Sequence, residues 1–238
     1  MRIFLAGAGG VIGRRLTPLL RAAGHEVAGT TRSRDKADAI AKLGAVPVVV
    51  DVFDAPALTD AVKRTAPQAI VHQLTDLAFA PGTPRYQEAL ARNARLRIEG
   101  TRNLVDAAQA AGVERMVAQS IAFIYAPRPG ARVESDPLND DPAAAQTVSA
   151  VKALEAAVLS LPQGIVLRYG FFYGPGTWSF ETPRSPAVHV DAAAQAALLA
   201  LGSAAPGIYN VAEDDAGLSS EKAKRAFSFD AGFRVSPQ

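Results

Sequence analysis

The sequence predicts a doubly wound α/β fold, in which helices cover both faces of a parallel sheet. Short apolar runs alternate with longer stretches of helical periodicity, as in RIFLA, VIGRRLTPLLRAAG, HEVAGT, RDKADAIAKLG and AVPVVV. The apolar runs are nearly continuous in valine, isoleucine and leucine, as expected for strands buried on both faces. Alternation of this kind is typical of right-handed βαβ units, and it continues through QAIVHQL, RMVAQS and GIVLRYG.

Two further patterns organise the rest of the chain. One stripe of apolar and small residues runs from Pro84 to Gly112 and predicts a single long helix. After Gly170, proline and glycine become dense, and then HVDAAAQAALLALG predicts a helix, GIYNVA a strand and SSEKAKRAF a short helix. We therefore predict a Rossmann-type core over residues 1–170 and a small cap lobe over residues 171–238, with a helix at about 190–201 returning to the core.

Composition excludes several classes of protein. The 238 residues are 49% hydrophobic, and 25 basic against 23 acidic side chains leave a net charge of only +2, with no basic tract. Nucleic acid and membranes are therefore not expected as partners. Cysteine is absent and the three histidines lie far apart in the sequence, so we expect no disulfide and no metal site. The chain opens on an apolar strand without a charged leader, which predicts a cytoplasmic protein.

A glycine-rich stretch, AGAGGVIGRRL, lies between the first strand and the first helix. Gly7, Gly10 and Gly13 are spaced three apart there, which is the pattern of a dinucleotide-binding turn. One glycine permits the turn, one lets the backbone approach a pyrophosphate, and one allows close helix packing. The free amides that open the helix, at Val11 and Ile12, attract the anion. The alternative is a glycine-rich turn that binds no ligand.

The end of the second strand indicates which cofactor binds. An NAD site usually places an acidic residue there, whereas this chain reads GTTRSRDK, with Arg32 at that position and Arg34 just beyond. A guanidinium group grips phosphate, so the pattern favours NADP, with NAD the less favoured cofactor. The alternative is two solvated arginines before a helix. Asp51, followed by Val52, ends the third strand, where it is either a contact for the adenine amino group or an ordinary turn aspartate.

The chain resembles the extended short-chain dehydrogenase/reductase superfamily, in particular its NAD(P)-dependent epimerase/dehydratase-like proteins. The likeness rests on AGAGGVIG, AIVHQLTD, NARLRIEGTRNLVDAAQAAGVERMVAQS, IVLRYGFFYGPGT and HVDAAA, and it covers nearly the whole length. It implies that Gln73, Leu74 and Thr75, after the fourth strand, contact the cofactor. It also implies a catalytic serine or threonine at the end of the fifth strand, followed by a helix carrying Tyr-x-x-x-Lys.

The chain departs from the resemblance at the tyrosine. Lys152 in QTVSAVKALEAAV matches the lysine that binds the nicotinamide ribose and lowers the tyrosine pKa, but the tyrosine position is Val148. Valine neither donates nor accepts a proton, so the usual acid/base step cannot run there. Lys152 either keeps the ribose-binding half of the role or is a surface lysine whose stem covers apolar residues.

The serine is displaced as well. Counted back from Tyr125, the usual hydroxyl position falls on Ile121, and Ser120 lies one residue earlier, which on a strand means the opposite face. Ser120 reaches the site only if the strand has already ended. Ser149 is a weaker substitute, and Tyr125 and Tyr173 are two further hydroxyls that either face the site or pack.

These departures predict an NADP-binding oxidoreductase that acts on a small or apolar carbonyl-type substrate by hydride transfer. Only a short segment separates Tyr173 from His189, which argues against a sugar-nucleotide epimerase or dehydratase. The substrate would be bounded by aromatic residues that are otherwise core: Phe123, Phe171, Phe172, Tyr173 and Trp178. The alternative is a sensor or scaffold that binds the dinucleotide without catalysis.

The resemblance also predicts a homodimer. Family members commonly pair through two long helices, which correspond here to residues 84–111 and 148–160. Small residues on those helices, which permit close approach, are Ala91, Ala94, Ala156 and Ala157.

Overall fold

The fold is seen in a computed structural model that describes residues 1–77, 82–182, 185–215 and 217–235. A parallel sheet of seven strands runs through its centre in the order β3-β2-β1-β4-β5-β6-β9. Its strands are β1 Arg2–Ala6, β2 Glu26–Thr31, β3 Val46–Val49, β4 Ala69–His72, β5 Arg115–Ile121, β6 Gln163–Tyr169 and β9 Gly207–Val211. Two further strands, β7 Phe171–Tyr173 and β8 Ala187–His189, form a small parallel pair. The predicted doubly wound α/β fold is confirmed.

Helices cover both faces of the sheet, as the right-handed connections between parallel strands require. They are α1 Val11–Ala22, α2 Ala37–Lys42, α3 Ala55–Thr65, α4 Tyr86–Arg95, α5 Thr101–Ala110, α6 Ala145–Leu159, α7 Val190–Ser203 and α8 Glu221–Phe227. Successive side chains of a strand point to opposite faces of the sheet. Odd-numbered residues of β1, β4 and β5 therefore lie in a core shared with α1 and α7. Even-numbered residues of the same strands enter a second core with α3, α5 and α6.

The long helix predicted over residues 84–112 is one continuous helical segment with an irregular centre. Between α4 and α5 the chain forms a π-helical turn, Leu96–Gly100. The segment ends near Gly112, whose φ of 70° lies in the left-handed region that favours glycine. Of the small residues assigned to a dimer interface, Ala91 is exposed and Ala94 is buried within the chain. The homodimer stays a prediction.

The chain after residue 170 is tied to the chain before it. β9 pairs with β6 from Ile165 opposite Gly207 to Tyr169 opposite Val211, and α7 packs against α1. The predicted division at residue 170 stays a prediction, while both sides of that point share one sheet and one core. In the described part of the chain, no helix is long and apolar enough to cross a membrane.

Candidate functional site

The glycine loop between β1 and α1 is packed so closely that two of its glycines cannot be replaced without movement. Gly7 has a φ of 94°, and a Cβ there would lie 2.8 Å from the backbone of Gln73. A Cβ on Gly13 would lie 2.1 Å from the carbonyl oxygen of Gly7. Gly10 precedes the first helical residue and donates its amide to that same oxygen at 3.0 Å. The sequence spacing therefore reflects real close approach of a helix to a turn.

The N-terminus of α1 offers backbone amides to an anion. The first turn has no intrahelical acceptors for its N–H groups, no side chain caps it, and it contains no acidic residue. Ile12 is buried in the core and Val11 packs against it, so these two predicted residues present only their amides. A pyrophosphate is the type of group that such a terminus binds.

A cleft of about 340 Å³ opens beside this loop at the carboxyl ends of β1, β2 and β4. Predicted cofactor residues that line it are Gly7, Gly10, Arg32, Val52, Gln73, Leu74 and Thr75. Sequence reasoning missed Lys36 and Phe53, which line it too. Arg32, Ser33 and Lys36 therefore place two cations and a hydroxyl at one end of the cleft.

Six of the predicted cofactor residues lie outside the lining of this cleft: Val11, Ile12, Gly13, Arg34, Asp51 and Lys152. Arg34 opens a short 3₁₀ turn and is exposed. Asp51 lines a neighbouring depression together with Arg32, and its carboxylate accepts a hydrogen bond from the Phe53 amide at 3.0 Å. That bond is what a turn aspartate makes, and an adenine contact for Asp51 stays a prediction.

The buried side-chain amide of Gln73 tests whether the cleft fits a cofactor. Its side chain is 95% buried, yet neither its amide nitrogen nor its oxygen has a hydrogen-bond partner among the described residues. Burial raises the pKa of the Tyr169 phenol, and Gln73 lies close enough to lower it, but the Tyr169 hydroxyl donates its hydrogen bond to the Ala193 carbonyl oxygen at 3.1 Å. A buried amide left unpaired is costly, and a polar ligand in the cleft would satisfy it.

Ser120 lies in a buried polar network on the α6 side of the sheet. Its hydroxyl donates to Glu155 at 2.8 Å, and Arg168 donates to both oxygens of that carboxylate at 2.8 and 2.7 Å. Arg168 also donates to the Tyr125 hydroxyl, which in turn donates to Asn210 at 2.6 Å. Burial raises the pKa of Tyr125 above its usual value, which makes its phenol a weaker acid. The catalytic roles of Ser120 and Tyr125 stay predictions.

Sequence reasoning missed Glu155 and Arg168 although a signal was present. Glu155 interrupts the buried stripe of α6, and Arg168 stands inside the apolar run of β6. A charged residue within an apolar pattern indicates a buried partner, because an unpaired charge is rarely tolerated there.

The two positions where the resemblance implies hydroxyl groups are apolar and belong to one cluster. Ile121 and Val148 are 7% and 6% exposed, and they share this cluster with Ile124 and Val151. Lys152 is an exposed residue of α6, and within the described residues it makes no hydrogen bond or ion pair. Its role as a ribose ligand stays a prediction.

Two of the five aromatic residues expected around a substrate stack on each other, and the other three lie apart from them in different settings. Phe123 stacks on Phe171 with ring centres 3.9 Å apart, and Phe123 is 41% exposed. Phe172 packs against the core and Tyr173 is hydrogen-bonded to Glu213, while Trp178 is exposed. The stacked pair is therefore the apolar surface that follows the ends of β5 and β6.

Fold and site together define a dinucleotide-binding protein of the Rossmann type. A model of the NAD dependent epimerase/dehydratase family matches residues 3–183, and the chain belongs to that family. It is 42% identical over 239 residues to the 3-diazoavenalumate denitrifying reductase of a Streptomyces species, an alignment covering 90% of this chain and 77% of that protein. The chain is therefore an oxidoreductase-like member of this family, and the Streptomyces protein to which it is similar is a reductase.

Solved structures share its fold at low identity. The NAD complex of UDP-glucose 4-epimerase from Thermus thermophilus matches with a TM-score of 0.78 and 21% identity, covering 99% of this chain and 95% of that chain. The NAD complex of the Bordetella bronchiseptica enzyme WbmG matches with a TM-score of 0.75 and 20% identity, covering 99% and 90%. Both neighbours were solved with a nicotinamide dinucleotide bound.

Proposed function

We propose that the protein is an NADP(H)-dependent reductase that delivers hydride to a small substrate without a serine and tyrosine proton relay. The observation that carries this proposal is the buried cluster of Ile121 and Val148, which puts methyl groups where the resemblance implies hydroxyls. Neither side chain can donate or accept a proton, whereas the dinucleotide cleft keeps its glycine turn.

The residues that would hold the cofactor are distributed along the cleft. The amides opening α1 would bind the pyrophosphate, Gln73 would pair with a polar group, and Arg32 with Lys36 would face a 2′-phosphate. Reduced nicotinamide supplies a hydride when it is bound. The chain would bind and orient the dinucleotide for this transfer.

The kind of hydride acceptor follows from the missing proton relay. The Streptomyces relative is named for denitrifying 3-diazoavenalumate. When hydride replaces a diazonium group, a C–H bond forms and N₂ leaves with the electron pair of the C–N bond, so no proton is needed. A ketone, in contrast, becomes an alkoxide that must be protonated. A substrate of the first kind suits this site better than a simple carbonyl compound.

The test is turnover of NADPH carrying deuterium at C4. Purified protein is incubated with an aryl diazonium salt, an enone, a quinone and a ketone, and products are analysed by mass spectrometry. We expect deuterium in the product of the diazonium salt and a rate that changes little in D₂O. A ketone reduced faster than the diazonium salt, with a large solvent isotope effect, would contradict the proposal.

A dinucleotide-binding sensor without catalysis is the second candidate, and the loss of both hydroxyl positions favours it as well. It predicts tight NADPH binding and no turnover of any compound in the panel. Calorimetric titration with NADPH alongside the assay distinguishes the two functions.

A further inference from the structure

Arg97 lies in the π-helical turn Leu96–Gly100 that interrupts the long helix between α4 and α5. Such turns occur frequently at functional sites. Leu96, the residue before it, lines the dinucleotide cleft, and Arg97 itself is half-buried. The turn therefore brings a guanidinium group to the margin of the proposed active site.

The charges around Arg97 do not balance. It lies close enough to His72, Glu155 and Tyr86 for electrostatic interaction. The Glu155 carboxylate already accepts two hydrogen bonds from Arg168 and one from Ser120. Glu155 and Arg168 cancel each other, and burial keeps His72 neutral by lowering its pKa to about 4. One positive charge, on Arg97, remains without a counter-ion.

Within the described residues, Arg97 has no hydrogen bond and no ion pair. Burial lowers the pKa of its guanidinium to about 10, so it stays charged at neutral pH. A charge that is partly desolvated and unpaired is costly. Because the side chain is only half-buried, solvent still reaches it, and an anion from outside can pair with it.

The neighbours of Arg97 lie at the edge of the sheet where substrates bind. His72 is the last residue of β4, and the Glu155 carboxylate beside Arg97 is bonded to Ser120 near the end of β5. In open parallel sheets the ligand crevice is at these carboxyl ends. Phe123, stacked on Phe171, follows the same edge and offers a flat apolar surface.

We propose that Arg97 binds the carboxylate of an aromatic acid, which would be the substrate class of this enzyme. The inference rests on the proposed reductase function and names the substrate of the same site. A planar guanidinium binds carboxylate through two parallel hydrogen bonds, and an arene fits beside stacked phenylalanines.

Calorimetric titration of the NADP-loaded protein with cinnamate and with cinnamamide tests this. The two probes have nearly the same shape, and only the acid is charged. We expect the acid to bind roughly tenfold or more tightly than the amide, as for hydrogen bonds between charged groups. Arg97→Met should abolish the difference and Arg97→Lys should keep part of it. Arg102→Met, which removes an exposed arginine one turn further on, should leave it unchanged.

The thermal unfolding temperature distinguishes a substrate-binding role of Arg97 from a structural role. Arg97→Met removes an unpaired charge, so the ligand-free variant should unfold at the same temperature as the parent or higher. A clear loss of stability, or equal binding of acid and amide to the parent protein, overturns the proposal. NADPH affinity, and turnover of an aryl diazonium salt that carries no carboxylate, should be the same in the parent protein and in Arg102→Met. Absence of both NADPH binding and turnover in the parent protein would instead count against the reductase.

Discussion

Ser120 donates a hydrogen bond to Glu155 at 2.8 Å, and this bond attaches the only hydroxyl of β5 to a buried ion pair. The ion pair with Arg168 is 4% and 7% exposed and joins α6 to β6. For Ser120 to act on a substrate, its bond to the carboxylate would have to break. The hydrogen bond of Ser120 therefore belongs to a buried ion pair that stabilises the fold.

Removing one member of this pair should be strongly destabilising. Glu155→Ala leaves Arg168 buried without a counter-ion, and we expect the free energy of unfolding to fall by about 3–5 kcal/mol in urea denaturation. Glu155→Leu combined with Arg168→Met removes both charges and should recover much of the loss. Glu99→Ala, which removes the exposed pair with Arg95, is the control and should change little. Equal losses for Glu155→Ala and Glu99→Ala would show that the buried pair is unimportant.

Stability should depend on pH through His72. Burial, with Arg97 adding to the effect, lowers its folded-state pKa to about 4, below the value of about 6.5 in an unfolded chain. Between these values the unfolded chain binds more protons, so stability from this group is complete above pH 6.5. It is lost as the pH falls towards 4, by about 3 kcal/mol in total. In urea titrations at pH 7 and 4.5, His72→Asn should lose less stability than the parent; identical losses would refute the assignment.

The close approach at Gly13 predicts a severe effect of a single methyl group. Gly13→Ala places a Cβ 2.1 Å from the Gly7 oxygen, so α1 must move away from the turn. We expect about 1–3 kcal/mol lower stability and a loss of NADPH affinity in calorimetric titration. Gly202→Ala adds a methyl group to α7 where no atom lies within 4 Å, and it should be neutral or slightly stabilising. Similar behaviour of the two variants would mean that the loop is not tightly packed.

Cofactor preference should depend on Arg32 more than on Arg34. Both arginines are exposed, but Arg32 lines the cleft beside Ser33 and Lys36, whereas Arg34 lies outside its lining. Arg32→Ala is expected to weaken NADPH binding by about tenfold and to leave NADH binding unchanged, with a smaller effect for Arg34→Ala. The difference should shrink in high salt, because the contact is open to solvent. If the parent protein binds NADPH and NADH equally well, the 2′-phosphate assignment is wrong.

Lys152→Met distinguishes a ribose ligand from a solvated lysine. The variant keeps the aliphatic stem and loses the charge, and Lys152 is exposed. If its ammonium group binds the nicotinamide ribose, NADPH affinity should fall by up to about tenfold, the lower end for a charged hydrogen bond because solvent competes. We expect this loss, with unfolding unchanged. Full affinity in the variant would leave Lys152 as a surface residue.

Local patterns explain why the fold and the glycine turn could be predicted from the sequence. The strands, the long helix and the turn at Gly7, Gly10 and Gly13 each produce a pattern over a few neighbouring residues. The π-helical turn at Leu96–Gly100, which packs against α6, produces no such pattern.

The parts of the site that were missed depend on residues distant in the sequence. Arg168 and Glu155 meet only when α6 lies on β6, and the unpaired amide of Gln73 is evident only once its surroundings are closed. Phe53 and Lys36 line the cleft because of how their loops return to it. Burial and pairing are tertiary properties, and no period in the sequence records them.

The position of β9 has a consequence for how the chain matures during synthesis. Because β9 follows β6 in the sequence and is its outer neighbour in the sheet, β6 emerges from the ribosome before that neighbour exists. Until then, the open backbone groups of a strand that is buried in the finished protein face solvent. Such an edge pairs readily with strands of other chains. The nascent protein is therefore most prone to aggregate in the interval between synthesis of β6 and arrival of β9, which is when chaperone protection would matter most.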